Sequence, residues 1–211
     1  MTSVFYPPAG DRNIIALVKK TIASGGVAAI PTDTCYGLAT DSTNLAAIER
    51  LYKIKRRPIE KAISCIFRDV SEAAQWAEID FSQRKILEKY LPGFFTFLLK
   101  PTHAYPLKSG LVGVRVPDFN FTRKLSLALG FPYTATSANI SGLPACYSKD
   151  EFLGQVGDKA GGGVEKTDVC LPDLFVDAGV LPRVSPSTVV DLTVKPLRVL
   201  RQGGGEFIEK G

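Results

Sequence analysis

The sequence predicts an α/β fold, because short apolar runs typical of strands alternate along its 211 residues with segments of helical periodicity. Ile14, Val18 and Ile22 recur at helical spacing, and the apolar run 27–30 follows them as a short strand. Two later segments repeat the form of a short strand that ends in proline or in small polar residues. Ligands of open α/β sheets lie just past the carboxyl ends of strands, so these ends are the expected functional site.

Five helices are predicted from apolar periodicity and from the residues that begin or end helices. Asp11 is the expected N-cap of the first helix, and Ser71 is that of the third. Leu45 is expected on the buried face of the second helix, and Gly130 ends the fifth. The predicted helices span 11–24, 44–54, 71–76, 82–90 and 119–129.

Strands are predicted wherever β-branched and aromatic residues form short apolar runs between turn signals. The first strand stops at Pro31, which has no N–H to donate, and Gly37 is expected to let the chain turn after it. The glycine run 161–163 and the segment 101–110 are predicted loops, and the rest of 145–173 is left unassigned. The predicted strands occupy 27–30, 62–67, 94–100, 112–116, 174–177 and 197–201, with further strands beginning at 133 and after the polar loop at 185.

The composition is that of an ordinary globular protein, with 45% hydrophobic and 22% charged residues. No apolar run is as long as the roughly 18 residues of a membrane span, and the N-terminus lacks the basic and then apolar order of a signal peptide. We therefore expect a cytoplasmic protein. Its net charge of +5 favours contact with a polyanion such as a nucleotide or RNA.

The four cysteines and the single histidine, His103, do not have the spacing of a metal site. Free thiols are expected, because disulfides are rare in a reducing compartment. Cys35 lies in the polar segment after the first strand, but no base is evident beside it. We therefore do not expect Cys35 to be a catalytic nucleophile.

Two of the strand ends carry small polar side chains from which a ligand site can be built. Hydroxyl and amide groups of this kind hold a ligand through neutral hydrogen bonds where the backbone comes close. The alternative is that both segments are surface turns, in which Ser, Thr, Asn and Asp are common. The residues concerned are Thr32, Asp33 and Thr34 in the first segment and Ser137, Asn139 and Ser141 in the other.

The third strand end contains Arg115, a charged residue inside the otherwise apolar run 112–116. A buried guanidinium is costly without an anionic partner, which is a carboxylate either of the protein or of a ligand. The only carboxylate nearby in sequence is Asp118, and Pro117 turns the chain away from it. We therefore expect Arg115 to face a cavity and to form a bidentate pair with a ligand carboxylate.

A basic run follows the second predicted helix. Cations at the end of a helix complement its dipole, so one interpretation is a solvated helix terminus. The run extends past Pro58 towards the next strand, however, and this extension favours a clamp for phosphate groups. The cations of the run are Lys53, Lys55, Arg56, Arg57 and Lys61.

Together these segments resemble the threonylcarbamoyl-AMP synthase family, the YrdC-like proteins. Each motif alone is weakly specific, but the ordered set is highly specific. The resemblance covers residues 10–205 and implies that 1–211 form a single YrdC-like domain with no additional C-terminal domain. The matching segments are PTDTCYGL (31–38), KIKRRPIEK (53–61), PGFFTFLLK (92–100), VRVP (114–117), TSANISG (136–142), PSTVVDL (186–192) and LRQG (200–203).

The resemblance implies a twisted mixed sheet of parallel and antiparallel strands, with flanking helices and a large basic central cavity. It implies a nucleotidyltransferase that makes threonylcarbamoyl-AMP and pyrophosphate from L-threonine, bicarbonate and ATP. This adenylate serves threonylcarbamoyl-adenosine modification of tRNA and would be used by partner proteins. Direct binding of tRNA or double-stranded RNA is a further implied interaction.

By the same resemblance, Thr34, Arg115 and Ser187 would line the threonine site. In-line attack on the α-phosphate needs positioning and charge neutralisation, and no acid–base pair is assigned. We expect Mg²⁺ to enter with ATP and to be held mainly by phosphates, so no protein ligand for it is assigned. The nucleotide site would be lined by Lys55, Arg57, Lys61, Ser137, Asn139 and Arg201.

The sequence departs from the family pattern at a few positions. Ile66 stands where the family usually has a histidine in the threonine pocket, Ala62 replaces a usual proline, and Arg56 is bulkier than usual. The segments 67–72 and 92–100 also resemble a sister branch, the YciO-like proteins. The intact Ser-Ala-Asn loop favours a synthase. The alternative is a YciO-like nucleotide- or RNA-binding protein of the same fold without efficient synthase activity.

Overall fold

The computed structural model of the chain describes residues 1–5, 12–59, 61–102, 110–156 and 170–208. In this part of the chain, eleven strands form two hydrogen-bonded sheets accompanied by six helices. Strands pair in both parallel and antiparallel senses, so the predicted mixed α/β fold is confirmed. The expected N-cap Asp11, the single His103 and the glycine run 161–163 lie outside the described residues.

The first sheet has five strands and contains the hairpin that carries the first polar segment. Its spatial order is β1 (Thr2–Phe5), β9 (Leu174–Asp177), β2 (Ala28–Pro31), β3 (Tyr36–Ala39) and β8 (Thr136–Ser137). The strand β9 pairs in parallel with β1 and β2, whereas β3 pairs antiparallel with β2 and β8. The polar residues 32–35 therefore form the turn between β2 and β3.

The second sheet has six strands. Its spatial order is β11 (Arg198–Arg201), β10 (Thr188–Asp191), β5 (Phe95–Leu99), β6 (Val112–Arg115), β4 (Ser64–Ile66) and β7 (Tyr133–Thr134). The pairs β10–β5 and β4–β6 are parallel, and the other neighbours are antiparallel. Only Ala135 separates β7 from β8, so the two sheets approach each other at this point of the chain.

Several of the six helices begin or end with recognisable caps. Asn44 and Asp80 accept backbone N–H bonds at the starts of α2 and α4, and Gly130, with φ 73°, ends α5. Arg56 ends α2 in the left-handed conformation that glycine usually adopts, with φ 48°. The helices are α1 (Arg12–Ala23), α2 (Leu45–Lys55), α3 (Val70–Trp76), α4 (Phe81–Tyr90), α5 (Asn120–Leu129) and α6 (Lys149–Val156).

The buried apolar residues form two clusters. The larger one includes Leu51 of α2, Phe97 of β5 and Phe175 of β9, and it joins elements of both sheets. The smaller one packs α1 and α5 together and includes Val18 and Leu125, which are fully buried. None of the helices in the described ranges has the length and apolarity needed to cross a membrane.

Several sequence-based expectations about single residues are wrong. The N-cap of α3 is Asp69, whose carboxylate accepts the Glu72 N–H at 2.7 Å, so Ser71 lies inside the helix. Leu45 is 46% exposed, since it occupies the first turn of α2 rather than its buried face. Gly37 does not turn the chain but lies within β3, where a Cβ atom would approach Cγ2 of Thr32 to 3.2 Å.

Candidate active site

A cavity of about 610 Å³ is lined by residues of both sheets. Its walls come from the β2–β3 turn, the segment before β4, the end of β6, the segment 135–147 and the segment leading into β10. Three arginines line it, and no carboxylate is among its lining residues in the described part of the chain. The cavity is therefore electropositive and suits an anionic ligand. These arginines are Arg57, Arg115 and Arg201.

The β2–β3 turn is held by the hydroxyl of Thr32. Its Oγ1 accepts the N–H groups of Thr34 and Cys35 at 3.2 and 3.3 Å and donates to the Cys35 carbonyl at 2.7 Å. A side chain that bonds its own turn in this way fixes the backbone locally. Thr34 is buried and lines the cavity, as does Cys35, whose thiol pKa is raised by burial. The turn thus presents two small polar groups in a defined orientation.

Arg115 is the last residue of β6 and lines the cavity with its side chain almost fully buried. Its Nη2 donates to both carboxylate oxygens of Asp33, at 2.9 and 3.1 Å. The expectation that Arg115 lacks a carboxylate within the protein is therefore wrong. Its Nε is buried and has no hydrogen-bond partner among the residues that the structure describes. Asp33 therefore binds the Nη2 group of the guanidinium, whereas Nε is unpaired in the described part of the chain.

Ser187, which immediately precedes β10, is hydrogen-bonded to Arg201, the last residue of β11. Arg201 donates through Nε and Nη2 to the Ser187 carbonyl at 3.0 and 2.8 Å, and through Nη2 to Ser187 Oγ at 3.1 Å. Ser187 Oγ also lies 2.9 Å from Oγ1 of Thr96. Burial, and then the charge of Arg115, lower the pKa of Arg201. Both Ser187 and Arg201 line the cavity.

Ser137 and Asn139 line the cavity on the segment that follows β7. Ser137 Oγ donates to Asn139 Oδ1 at 2.6 Å, and Asn139 Nδ2 donates to the Leu143 carbonyl at 2.5 Å. Lys55 lies against the same segment and is not among the lining residues. Its ammonium donates to the carbonyl oxygens of Ser137 and Asn139 and to Asn139 Oδ1.

The basic run divides between the cavity and the surface. Arg57 lines the cavity and donates through Nη2 to the Ala62 carbonyl at 3.0 Å, and its buried Nε has no partner within the described ranges. Lys61 is exposed and lies outside the lining. The predicted contacts of Lys55, Arg57 and Lys61 with nucleotide stay predictions, and of these three residues Arg57 lines the cavity.

Some residues that line the cavity are not among the site residues predicted from the sequence. Thr96 is the one polar residue of β5, and this interruption of an apolar run is a signal that could have found it. Tyr147 lines the cavity where Cζ of Arg183 lies 4.8 Å from its ring centroid. No local signal marks Tyr147, because its place in the wall depends on a segment distant in sequence: its carbonyl oxygen accepts the Leu181 N–H at 2.8 Å.

Ile66, which stands at a usual histidine position of the resembled family, is fully buried in the smaller core cluster. It is not among the residues that line the cavity, although Arg115 is its direct neighbour on the adjacent strand. The described residues contain no group of three or more His, Cys, Asp or Glu side chains that could hold a metal ion.

The Sua5/YciO/YrdC family model, described as telomere recombination, matches residues 20–203. A threonylcarbamoyl-AMP synthase of Vibrio cholerae is 31% identical over 189 residues, which cover 86% of this chain and 93% of that protein. The uncharacterized protein YciO of Escherichia coli is 30% identical over an alignment that covers 98% of both chains.

Two solved structures are similar to this fold over almost its whole length. Sua5 of P. abyssi complexed with L-threonine has a TM-score of 0.84 and 25% identity, covering 97% of this chain. This chain spans only 58% of that Sua5 chain. The crystal structure of E. coli YciO has a TM-score of 0.81 and 29% identity, covering 98% of both chains. The chain therefore belongs to the Sua5/YciO/YrdC family, whose named members include threonylcarbamoyl-AMP synthases.

Proposed function

We propose that the protein is an L-threonylcarbamoyladenylate synthase, a nucleotidyltransferase that forms threonylcarbamoyl-AMP and pyrophosphate from L-threonine, bicarbonate and ATP. One observation carries this proposal: residues that the family resemblance assigns to threonine and to nucleotide lie on the walls of one cavity. The named synthase relative and the threonine complex of Sua5 support it. The residues concerned are Thr34, Arg57, Arg115, Ser137, Asn139, Ser187 and Arg201.

The arrangement suits a reaction between two anions. Threonine carbamate carries two negative charges and ATP carries several, so cations are needed to offset their repulsion. Arg57 and Arg201 would contact the phosphates, while Arg115 would contact the threonine carboxylate through the N–H groups that Asp33 does not use. A carbamate oxygen would then form a bond to the α-phosphorus as the bond to the pyrophosphate oxygen breaks.

This step needs positioning more than proton transfer. The hydroxyls of Thr34 and Ser187 would fix threonine, and Ser137 and Asn139 would fix the nucleotide. Mg²⁺ would enter as the magnesium salt of ATP, because its preferred oxygen ligands are then supplied by phosphates. Asp33 is already committed to Arg115 and is not proposed as a metal ligand.

The product is a reactive mixed anhydride, which fits a role as an intermediate for another protein. We propose that tRNA-modifying partner proteins consume it to form threonylcarbamoyl-adenosine in tRNA. Direct contact with tRNA or double-stranded RNA is part of the proposal. Lys53, Arg56 and Lys61 are exposed around the end of α2 and would contact the phosphate backbone of such a ligand.

The test is release of pyrophosphate from ATP and bicarbonate, measured with L-threonine, with L-serine and without an amino acid. We expect release that depends on both threonine and bicarbonate, with threonylcarbamoyl-AMP identified by mass spectrometry. Pyrophosphate release that is the same with and without threonine would contradict the proposal.

A second candidate is a YciO-like protein that binds nucleotide or RNA without efficient synthase activity. The end-to-end match with E. coli YciO favours it, as does the apolar Ile66 beside Arg115. ATP binding without threonine-dependent pyrophosphate release would support this candidate over the synthase.

A further inference from the structure

Lys55 is a fully buried cation behind the cavity wall. It is the last residue of α2 and is 2% exposed. Its ammonium donates to the Ser137 carbonyl, to the Asn139 carbonyl at 3.2 Å and to Asn139 Oδ1 at 2.9 Å. An ammonium group has three donors, so all three are engaged by the protein. None is left for a ligand unless these contacts break.

Both the side chain and the backbone carbonyl of Lys55 hydrogen-bond the segment 137–143, so this one residue connects α2 to that segment twice. While the ammonium of Lys55 holds Ser137 and Asn139, its carbonyl oxygen accepts the Ser141 N–H at 2.8 Å. Ser137 and Asn139 line the cavity and Lys55 does not. The ammonium therefore draws the two carbonyl oxygens away from the cavity, and a wall with its carbonyls turned away is more receptive to an anion.

The charge of Lys55 has no carboxylate among its hydrogen-bond partners, all three of which are neutral oxygens. A buried charge without a counter-charge is unfavourable. Burial, and then the nearby charge of Arg57, lower the pKa of Lys55 to about 8. An anion on the cavity side of the segment would supply the missing counter-charge across a single layer of backbone.

We propose that Lys55 is a positioning residue that orients the segment 137–143 for a polyphosphate and takes that polyphosphate as its counter-charge, without touching it. This inference rests on the proposed function for the identity of the ligand, ATP. It differs from the role implied by the family resemblance, in which Lys55 itself lines the nucleotide site.

The proposal predicts a coupling between protonation and binding that a merely structural lysine would not show. If ATP is the counter-charge, it binds the protonated form better, so its affinity falls by about tenfold as the pH rises from 7 to 9. The other groups that interact with Lys55 are Arg57, Cys35 and Cys146. Burial raises the pKa of both thiols, that of Cys146 to about 12.

The experiment compares Lys55→Met with Lys20→Met, a control that removes an exposed lysine from the last turn of α1. ATP affinity is measured by calorimetry from pH 7 to 9, and hydrogen exchange of the amides in 137–143 is measured without ligand. For Lys55→Met we expect ATP binding to be weakened by tenfold or more at pH 7. The fall in ATP affinity between pH 7 and 9 should be lost, and the amides of 137–143 should exchange faster. Lys20→Met should resemble the unmodified protein in all three.

The outcomes separate this inference from the proposed function. Unchanged exchange in 137–143 for a folded Lys55→Met overturns the positioning role, whether or not ATP binding is lost. If the unmodified protein does not bind ATP, the proposed function fails, while faster exchange in the variant still supports the positioning role. If Lys55→Met does not fold, the pH profile of the unmodified protein decides: falling affinity supports the coupling, and constant affinity overturns it.

Discussion

Arg115 and Asp33 are 82 residues apart in the chain, yet Nη2 of Arg115 lies 2.9 and 3.1 Å from the two carboxylate oxygens of Asp33. Their side chains are only 8% and 3% exposed. The pair offsets the charge of a buried guanidinium and fixes its orientation at the cavity wall. Arg115 is therefore a positive charge held in one orientation, not a mobile one.

We expect Arg115→Lys to raise the threonine concentration needed for pyrophosphate release by about 10- to 100-fold. An ammonium keeps the charge and can keep a contact with Asp33, but it loses the planar arrangement of N–H groups that binds a second carboxylate. ATP affinity measured without threonine should change little. Steady-state kinetics in threonine, together with calorimetry of ATP alone, check both statements.

The matched variant is Asp33→Asn, which keeps the shape of the side chain and removes its charge. Breaking a buried ion pair from one side typically costs about 3–5 kcal/mol, so the free energy of unfolding in urea should fall by roughly that amount. An unchanged urea midpoint would mean that the pair is not formed in solution, and the argument on Arg115 would then fail with it.

Local pattern was sufficient to predict the elements whose own side chains form the core. The apolar spacing of Ile14, Val18 and Ile22 predicts α1, and the three residues are buried as expected. The strand β9 occurs over the predicted residues 174–177. In both cases the apolar pattern of the segment itself predicts which residues are buried, so the elements that pack against it need not be known.

Elements that depend on distant partners were missed. The short strand β1 exists by pairing in parallel with β9, about 170 residues later, a contact that no local pattern encodes. The helix α6 is weakly amphipathic and contains Gly154, but Phe152 and Val156 anchor it in the larger core cluster. Tertiary packing here outweighs intrinsic propensity.

The sequence predicts which types of residue line the candidate site better than it predicts which of their side chains contact each other. The polar strand ends do meet at one cavity, as the rule for α/β sheets predicts. The partner of Arg115 cannot be predicted from its neighbours in sequence, because Asp33 is 82 residues away and only the fold brings the two together. For Lys55, residue type alone cannot distinguish a cation in a cavity wall from one behind it.

We expect Arg57→Ala to weaken ATP binding by about 2–3 kcal/mol, the value of a charge-assisted hydrogen bond. Arg57 lines the cavity, so a phosphate oxygen in the cavity would contact the part of its guanidinium that faces it. Lys61→Ala is the comparison, since Lys61 is exposed outside the lining and an exposed charge contributes up to about 1 kcal/mol. Calorimetry at constant salt measures both variants; equal losses would place the phosphate contact at the cavity mouth instead.

The cysteines should react with iodoacetamide in an order set by exposure. Cys170 is half-buried and should be modified first, followed slowly by Cys35, which lines the cavity and whose pKa is raised by burial. Cys65 and Cys146 are fully buried and should react only after unfolding. Peptide mass spectrometry with and without ATP gives the test: ATP should slow the modification of Cys35 and leave that of Cys170 unchanged. Equal protection of both would indicate a general tightening of the fold rather than occupancy of the cavity.

The last prediction concerns Gly203, which follows β11 and packs against the backbone that carries Ser187. A Cβ atom at this position would lie 2.0 Å from the Pro186 carbonyl oxygen and 2.6 Å from the carbonyl carbon of Ser187. Backbone atoms cannot move aside as the end of a flexible side chain can, so Gly203→Ala must displace one of the two segments. We expect a loss of about 2–4 kcal/mol in the free energy of unfolding, measured in urea.

Gly154→Ala is the control, because Gly154 lies exposed in α6 and has nothing within 4 Å of the added atom. Alanine in a helix interior is favoured over glycine by about 0.8–1 kcal/mol, so this variant should be slightly more stable than the unmodified protein. Because Arg201 and Ser187 are linked across the displaced contact, Gly203→Ala should also raise the threonine requirement while Gly154→Ala leaves it unchanged. A stable Gly203→Ala with normal threonine kinetics would show that the packing of this segment against Ser187 does not shape the site.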